Sequence, residues 1–139
     1  MIRNTYAILL YDNRSGSTLL SSLLNRYEEV SVSLESFFVI NIIEYKYSVC
    51  KDTLDEFLVY LYKEPQFSEL GIKRDKLRRY LLKNIIIFDK RQIIYSIIDL
   101  YFKDRDPQAK CRVLKFGAYA YLEEIKELFP EVQFIHIIR

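Results

Sequence analysis

The sequence predicts an α/β fold, a three-layer arrangement in which a mostly parallel sheet is flanked by helices, and three observations carry that expectation. The chain opens with a strand, a loop and a helix; it closes with a strand, a helix and a strand; and amphipathic helical segments lie between. At 139 residues, half of them apolar and 29% charged, it has the size and composition of one globular domain spanning 1–139.

Tyr6-Ala7-Ile8-Leu9-Leu10-Tyr11 is an unbroken apolar run bounded by Asp12 and Asn13, as expected of a strand buried on both faces. Over residues 18–26, Leu19, Leu20, Leu23 and Leu24 recur at helical spacing, so the strand passes into a helix through the loop 12–17. Residues 30–33 read as a short second strand. Residues 37–47, rich in β-branched and aromatic side chains, fit either element, with helix preferred. Residues 52–63 read as a helix capped by Asp52 and ended by Pro65, with Leu54, Phe57, Leu58 and Leu61 on one face. Two more helices, 73–83 and 91–103, are expected to flank the sheet, the second turning Ile93, Ile94, Ile97, Ile98 and Tyr101 inward. Residues 112–115 form a strand, 118–129 a helix stopped by Pro130, and 132–138 a strongly buried strand that encloses His136 as a core or supporting histidine.

Composition excludes several classes of function. A net charge of +2, with Lys and Arg interspersed among Asp and Glu, does not make a nucleic-acid surface, and the basic stretch 73–83 reads as a solvated helix face. Cys50 and Cys111 form no CxxC pair, and with a single histidine they leave too few ligands for zinc, so no metal is expected. Two reduced, buried thiols fit a cytoplasmic protein, and a disulfide between them stays open. The apolar run 6–11 is too short for a signal peptide or a membrane span. The tyrosines Tyr45, Tyr47, Tyr60, Tyr62, Tyr119 and Tyr121 fit core packing better than an acceptor pocket.

Only three glycines occur, and Gly16 lies in the first loop. A helix N-terminus offers unpaired N–H groups and the positive end of its dipole to an anion. Gly16 permits close backbone approach, Ser15, Ser17 and Thr18 add hydroxyls, and Arg14 adds a forked cation. An ordinary capped helix start fits the same residues. The second glycine and the lysine of the Walker pattern are absent, as is GxGxxG, which disfavours a nucleotide hydrolase or a dinucleotide site.

The strand followed by Arg14-Ser15-Gly16-Ser17-Thr18-Leu19-Leu20 resembles the 5′-phosphosulfate loop of sulfotransferases dependent on 3′-phosphoadenosine-5′-phosphosulfate (PAPS). Farther on, Lys115, then Leu128-Phe129-Pro130, then Phe134-Ile135-His136-Ile137-Ile138-Arg139 is similar to that family's K-T-P, L-F-P and F-I-H-x-x-R succession, whereas residues 37–110 match nothing in it. The resemblance implies part of a P-loop NTPase-like sulfotransferase fold. It also implies transfer of a sulfuryl group from PAPS to a hydroxyl or amine of a small-molecule, carbohydrate, lipid or peptide acceptor. Arg14 would then stabilise the leaving phosphate, Ser15, Gly16, Ser17 and Thr18 would hold the 5′-phosphate, and Arg139 would begin the 3′-phosphate site. Lys115 would stand near the transferred group, although Phe116 and Gly117 replace the family's Thr and Pro. Glu35, after the second strand, matches the place where several sulfotransferases carry an acidic base. A surface Glu35, a solvated Lys115 and a terminal Arg139 fit the same positions. The resemblance stops at Arg139, where a complete sulfotransferase continues, so a truncated domain is expected. A non-catalytic sulfotransferase relic or interaction module, and an atypical P-loop kinase, are the two other readings.

Overall fold

In chain order the elements are β1 (Thr5–Leu10), α1 (Ser17–Leu24), β2 (Val30–Glu35), α2 (Phe38–Glu44), α3 (Leu54–Tyr62), α4 (Pro65–Glu69), α5 (Arg74–Asn84), α6 (Lys90–Arg105), β3 (Cys111–Lys115), α7 (Leu122–Leu128) and β4 (Gln133–His136). The computed structural model describes residues 5–11, 16–115 and 121–137, and the chain divides into two compact units, 1–36 with 106–139, and 37–105.

The first unit holds a four-stranded sheet in the order β2-β3-β1-β4, with every pair parallel. The fold is α/β, as predicted. The unbroken apolar run of β1 is explained by its place between β3 and β4, where both faces are covered and residues 7–10 are all buried. Ala7 and Leu9 of β1 and Val113 of β3 centre one face of the sheet, against which Leu20 of α1, Val30 and Val32 of β2, and Ile135 and Ile137 pack.

β4 departs from expectation. It pairs only with β1 among the described residues, none of its residues is fully buried, and His136 is exposed. Alternation along one strand reports which residues share a face, but the position of the strand in the sheet decides how much of that face is covered.

The second unit is all-helical, and the segment 37–47 is helical at α2 as preferred. Leu54, Phe57, Leu58 and Leu61 of α3 and Ile93, Ile94 and Ile97 of α6 are buried at the spacings read from the sequence, and the basic α5 also buries Leu77 and Leu81. Two tyrosine hydroxyls tie α3 to its neighbours: Tyr60 donates to the Asn41 carbonyl of α2 at 2.8 Å, and Tyr62 to the Ile72 carbonyl in the loop before α5 at 2.7 Å. Tyr45 packs against Phe57 and Tyr60, whereas Tyr47 is exposed. Three local expectations change. Thr53, not Asp52, is the residue preceding α3, and its hydroxyl accepts from the Cys50 amide at 2.9 Å and donates to the Ser48 carbonyl at 3.0 Å. Pro65 does not only follow a helix; it starts α4, a position where its missing N–H costs no helical bond. Both cysteines are free, and Cys50 is exposed rather than buried.

Leu9 has no exposed surface at the centre of the sheet face. Leu9→Ala is expected to lower stability by about 2–5 kcal/mol, read from the denaturant midpoint, because the flanking strands cannot close the cavity.

Candidate active site

Chain connectivity brings the chemistry to one edge of the sheet. After β1 the chain passes through α1 to β2, on the far side of β3; after β3 it passes through α7 to β4, on the far side of β1. The connections leave two adjacent strands in opposite directions, and ligands of open parallel sheets bind outside the carboxyl ends of the strands at such a switch point. Tyr11 immediately follows β1, Lys115 ends β3 and Glu35 ends β2.

Regular pairing would keep Glu35 away from Lys115. Val32 lies opposite Val113, so two residues farther Leu34 should lie opposite Lys115; instead Glu35 does. One extra residue in β2 forms a bulge that rotates Glu35 onto the face carrying Lys115 and turns Leu34 outward, where it is exposed. Ser33 and Ser36, both buried, satisfy the disturbed backbone. The Ser33 hydroxyl accepts from the Lys115 amide at 3.2 Å and lies 2.8 Å from the Ser36 hydroxyl, and both hydroxyls reach the Leu34 carbonyl. The Ser36 amide donates to the Lys115 carbonyl at 2.9 Å, so pairing resumes beyond the bulge.

The three side chains then converge. Lys115 Nζ lies 3.4 Å from Glu35 Oε1, with the lysine side chain only 13% exposed. The Tyr11 hydroxyl donates to Glu35 Oε2, and Lys115 Nζ stands 5.2 Å from the Tyr11 ring centroid, within cation–π range. Burial, then the hydrogen bond to the Glu35 carboxylate and its negative charge, push the Tyr11 phenol well above its ordinary value, so it stays a neutral donor.

α1 opens on Gly16 at φ 90°, in the left-handed region that favours glycine, with open space where a Cβ would stand. It has no side-chain cap and no acidic residue in its first turn, so the described start of the helix carries nothing that repels an anion. Ser17 is buried and Thr18 exposed at this end.

A family model described as "Sulfotransferase family" matches residues 13–139. The chain belongs to the sulfotransferase family. No curated protein and no solved structure matches it. The family match runs through both structural units, including the helical segment in which no sulfotransferase motif is legible.

Of the residues that the sulfotransferase resemblance singled out, Glu35 and Lys115 lie together, and Gly16, Ser17 and Thr18 open α1 as expected. Arg14, Ser15 and Arg139 lie outside the described residues, as do Phe116, Gly117 and Tyr119. Sequence reasoning missed Tyr11, which reads as the last apolar residue of a strand, and the bulge, which has no local signature beyond two serines flanking an acid. Among the described residues no group of His, Cys, Asp and Glu is arranged to hold a metal ion, and no helix is long and apolar enough to cross a membrane.

Two outcomes follow from this geometry. Gly16→Ala meets no atom but must hold a left-handed backbone, so it should cost about 1–2 kcal/mol in thermal or chemical unfolding. The Tyr11 phenol holds its proton more tightly folded than unfolded, so its contribution to stability is complete below about pH 10 and is lost as pH rises further. Unfolding curves from pH 8 to 11 should therefore fall more steeply for the wild type than for Tyr11→Phe.

Proposed function

We propose that the chain binds PAPS and transfers its sulfuryl group to a hydroxyl or amine of an acceptor, with Glu35 as the base and Lys115 as the cation beside the transferred group. The observation that carries this reading is the meeting of Glu35 and Lys115, 3.4 Å apart at the carboxyl edge of the sheet, made possible by a bulge in β2. Family membership and the order of the motifs support the choice of donor.

In this reading Arg14, Ser15, Gly16, Ser17 and Thr18 hold the 5′-phosphate at the start of α1, and Arg139 contributes at the 3′-phosphate. The residues fit such a group: the left-handed Gly16 opens the helix without a side chain, and no acid stands in the first turn. The donor supplies the sulfuryl group. As the acceptor oxygen or nitrogen bonds to sulfur, the bond from sulfur to the phosphate oxygen breaks, its electron pair leaves on the phosphate, and the acceptor's proton passes to Glu35. Lys115 and Arg14 offset the charge gathering on the departing phosphate, the part that magnesium plays in phosphoryl transfer.

Calorimetry with adenosine 3′,5′-bisphosphate tests the donor site. Binding should be equal with and without magnesium and should weaken about tenfold or more in Arg14→Ala, as for loss of a charged hydrogen bond. Glu35→Gln should keep that binding and slow transfer of labelled sulfate from PAPS by about 10²–10⁴. No binding by the wild type, or Arg14→Ala binding as the wild type does, would overturn the reading; binding that requires magnesium would favour a kinase.

A further inference from the structure

We propose that Tyr11 is a positioning residue of this site: its hydroxyl fixes one oxygen of Glu35 while its ring face holds the Lys115 ammonium, so that base and cation keep one arrangement. The inference rests on the roles given above to Glu35 and Lys115. It adds a third residue that neither the motifs nor the family match assigns.

The geometry divides the two carboxylate oxygens between two partners. Oε1 faces Lys115 at 3.4 Å, and Oε2 accepts from Tyr11. A glutamate on a free side chain samples many orientations, and anchoring both oxygens fixes the carboxylate plane before an acceptor arrives. Each oxygen keeps a further lone pair with which to receive a proton.

Tyr11 suits the task for three reasons. It is buried, 9% exposed, immediately beyond β1, one of the two inner strands, so its own position is set by the sheet. Its phenol remains protonated through the working pH range and never competes with Glu35 as a base. Its ring lies 5.2 Å from Lys115 Nζ, which gives the ammonium a second attachment besides Glu35. Lys115 and Glu35 are the charged groups facing the phenol among the described residues. When the sulfuryl group of the donor draws Lys115 toward it, Tyr11 is the partner that stays on Glu35.

Tyr11→Phe removes one oxygen and keeps the ring, so it isolates the contact to Glu35. Release of labelled sulfate from PAPS, with water as acceptor, should fall about tenfold to a hundredfold. Affinity for adenosine 3′,5′-bisphosphate should stay within about twofold, because the phosphate cradle is untouched. A merely structural tyrosine would lower both together, and that result, or a wild-type rate of release, would overturn the proposal. A second measurement needs no turnover. In protein labelled at tyrosine Cζ, the Tyr11 resonance, assigned by its loss in Tyr11→Phe, should titrate later than those of exposed tyrosines, and Glu35→Gln should bring its titration to lower pH. An unchanged Tyr11 titration in Glu35→Gln would show that the contact is not formed in solution and would also overturn it. Glu35→Gln with wild-type sulfate release is a different failure: it removes Glu35 as base and leaves the measured contact standing.

Discussion

Side chains of a parallel sheet alternate strictly between its two faces, so an acid one position out of phase with its cation cannot meet it. β2 and β3 begin in a register, Val32 opposite Val113, that would set Leu34 against Lys115. The extra residue before Glu35 exchanges an apolar partner for a charged one, and both contacts of Glu35, to Lys115 and to Tyr11, depend on that exchange. A bulge leaves backbone groups without ladder partners, each costing about 1–3 kcal/mol if buried unsatisfied. Ser33 and Ser36 supply the missing partners from buried positions and return the chain to pairing at the Lys115 carbonyl. The serines are therefore part of how the acid is aimed, although neither touches Lys115 Nζ or Glu35 in the hydrogen bonds that define the bulge.

The site is the outer end of a face whose inner part is core. Along β1 that face runs Ala7, Leu9, Tyr11; along β3 it runs Cys111, Val113, Lys115; along β2 it runs Val30, Val32 and, past the bulge, Glu35. Leu9 lies directly opposite Lys115 and has no exposed surface, so the packing that fixes Leu9 also fixes the height of the lysine above the sheet. Tyr11 is the next residue of β1's face beyond Leu9. The same row of apolar contacts that stabilises the first unit therefore carries its precision outward to the polar edge, which is how a side chain on a strand is held better than one on a loop.

What could be read from the sequence follows the range of each interaction. The β1 run, the glycine before α1 and the apolar spacings of α3 and α6 depend on residues within one or two turns, and all are found. Glu35 was legible only as an acid after a short strand, because the bulge that directs it is a property of two strands separated by α2 to α6. Tyr11 was hidden by its own apolarity. His136 was placed in a core by alternation along β4, yet β4 stands at one end of the described sheet with β1 as its one described neighbour, and its residues are covered only in part. The exposure of Cys50 likewise depends on the loop before α3, where Thr53 binds back onto the Cys50 and Ser48 backbones.

The two units make different demands on their sequences, which explains why one resembles a known family by eye and the other does not. In the first unit the candidate site places particular residue types at fixed positions: a glycine at φ 90° before α1, an acid after a bulge, a lysine at the end of β3. Few residue types meet each need, so short motifs survive as recognisable strings. The helices of the second unit need mainly apolar side chains at helical spacing, a requirement met by Leu, Ile or Phe at every buried position of α3, α5 and α6 except Ser96 and Tyr101 of α6. Volume and pattern can be kept while identity drifts, so a core of that kind leaves no string to recognise. The family match nevertheless extends through residues 37–105, where the regularity that can be read is the spacing of buried apolar positions and not a short string.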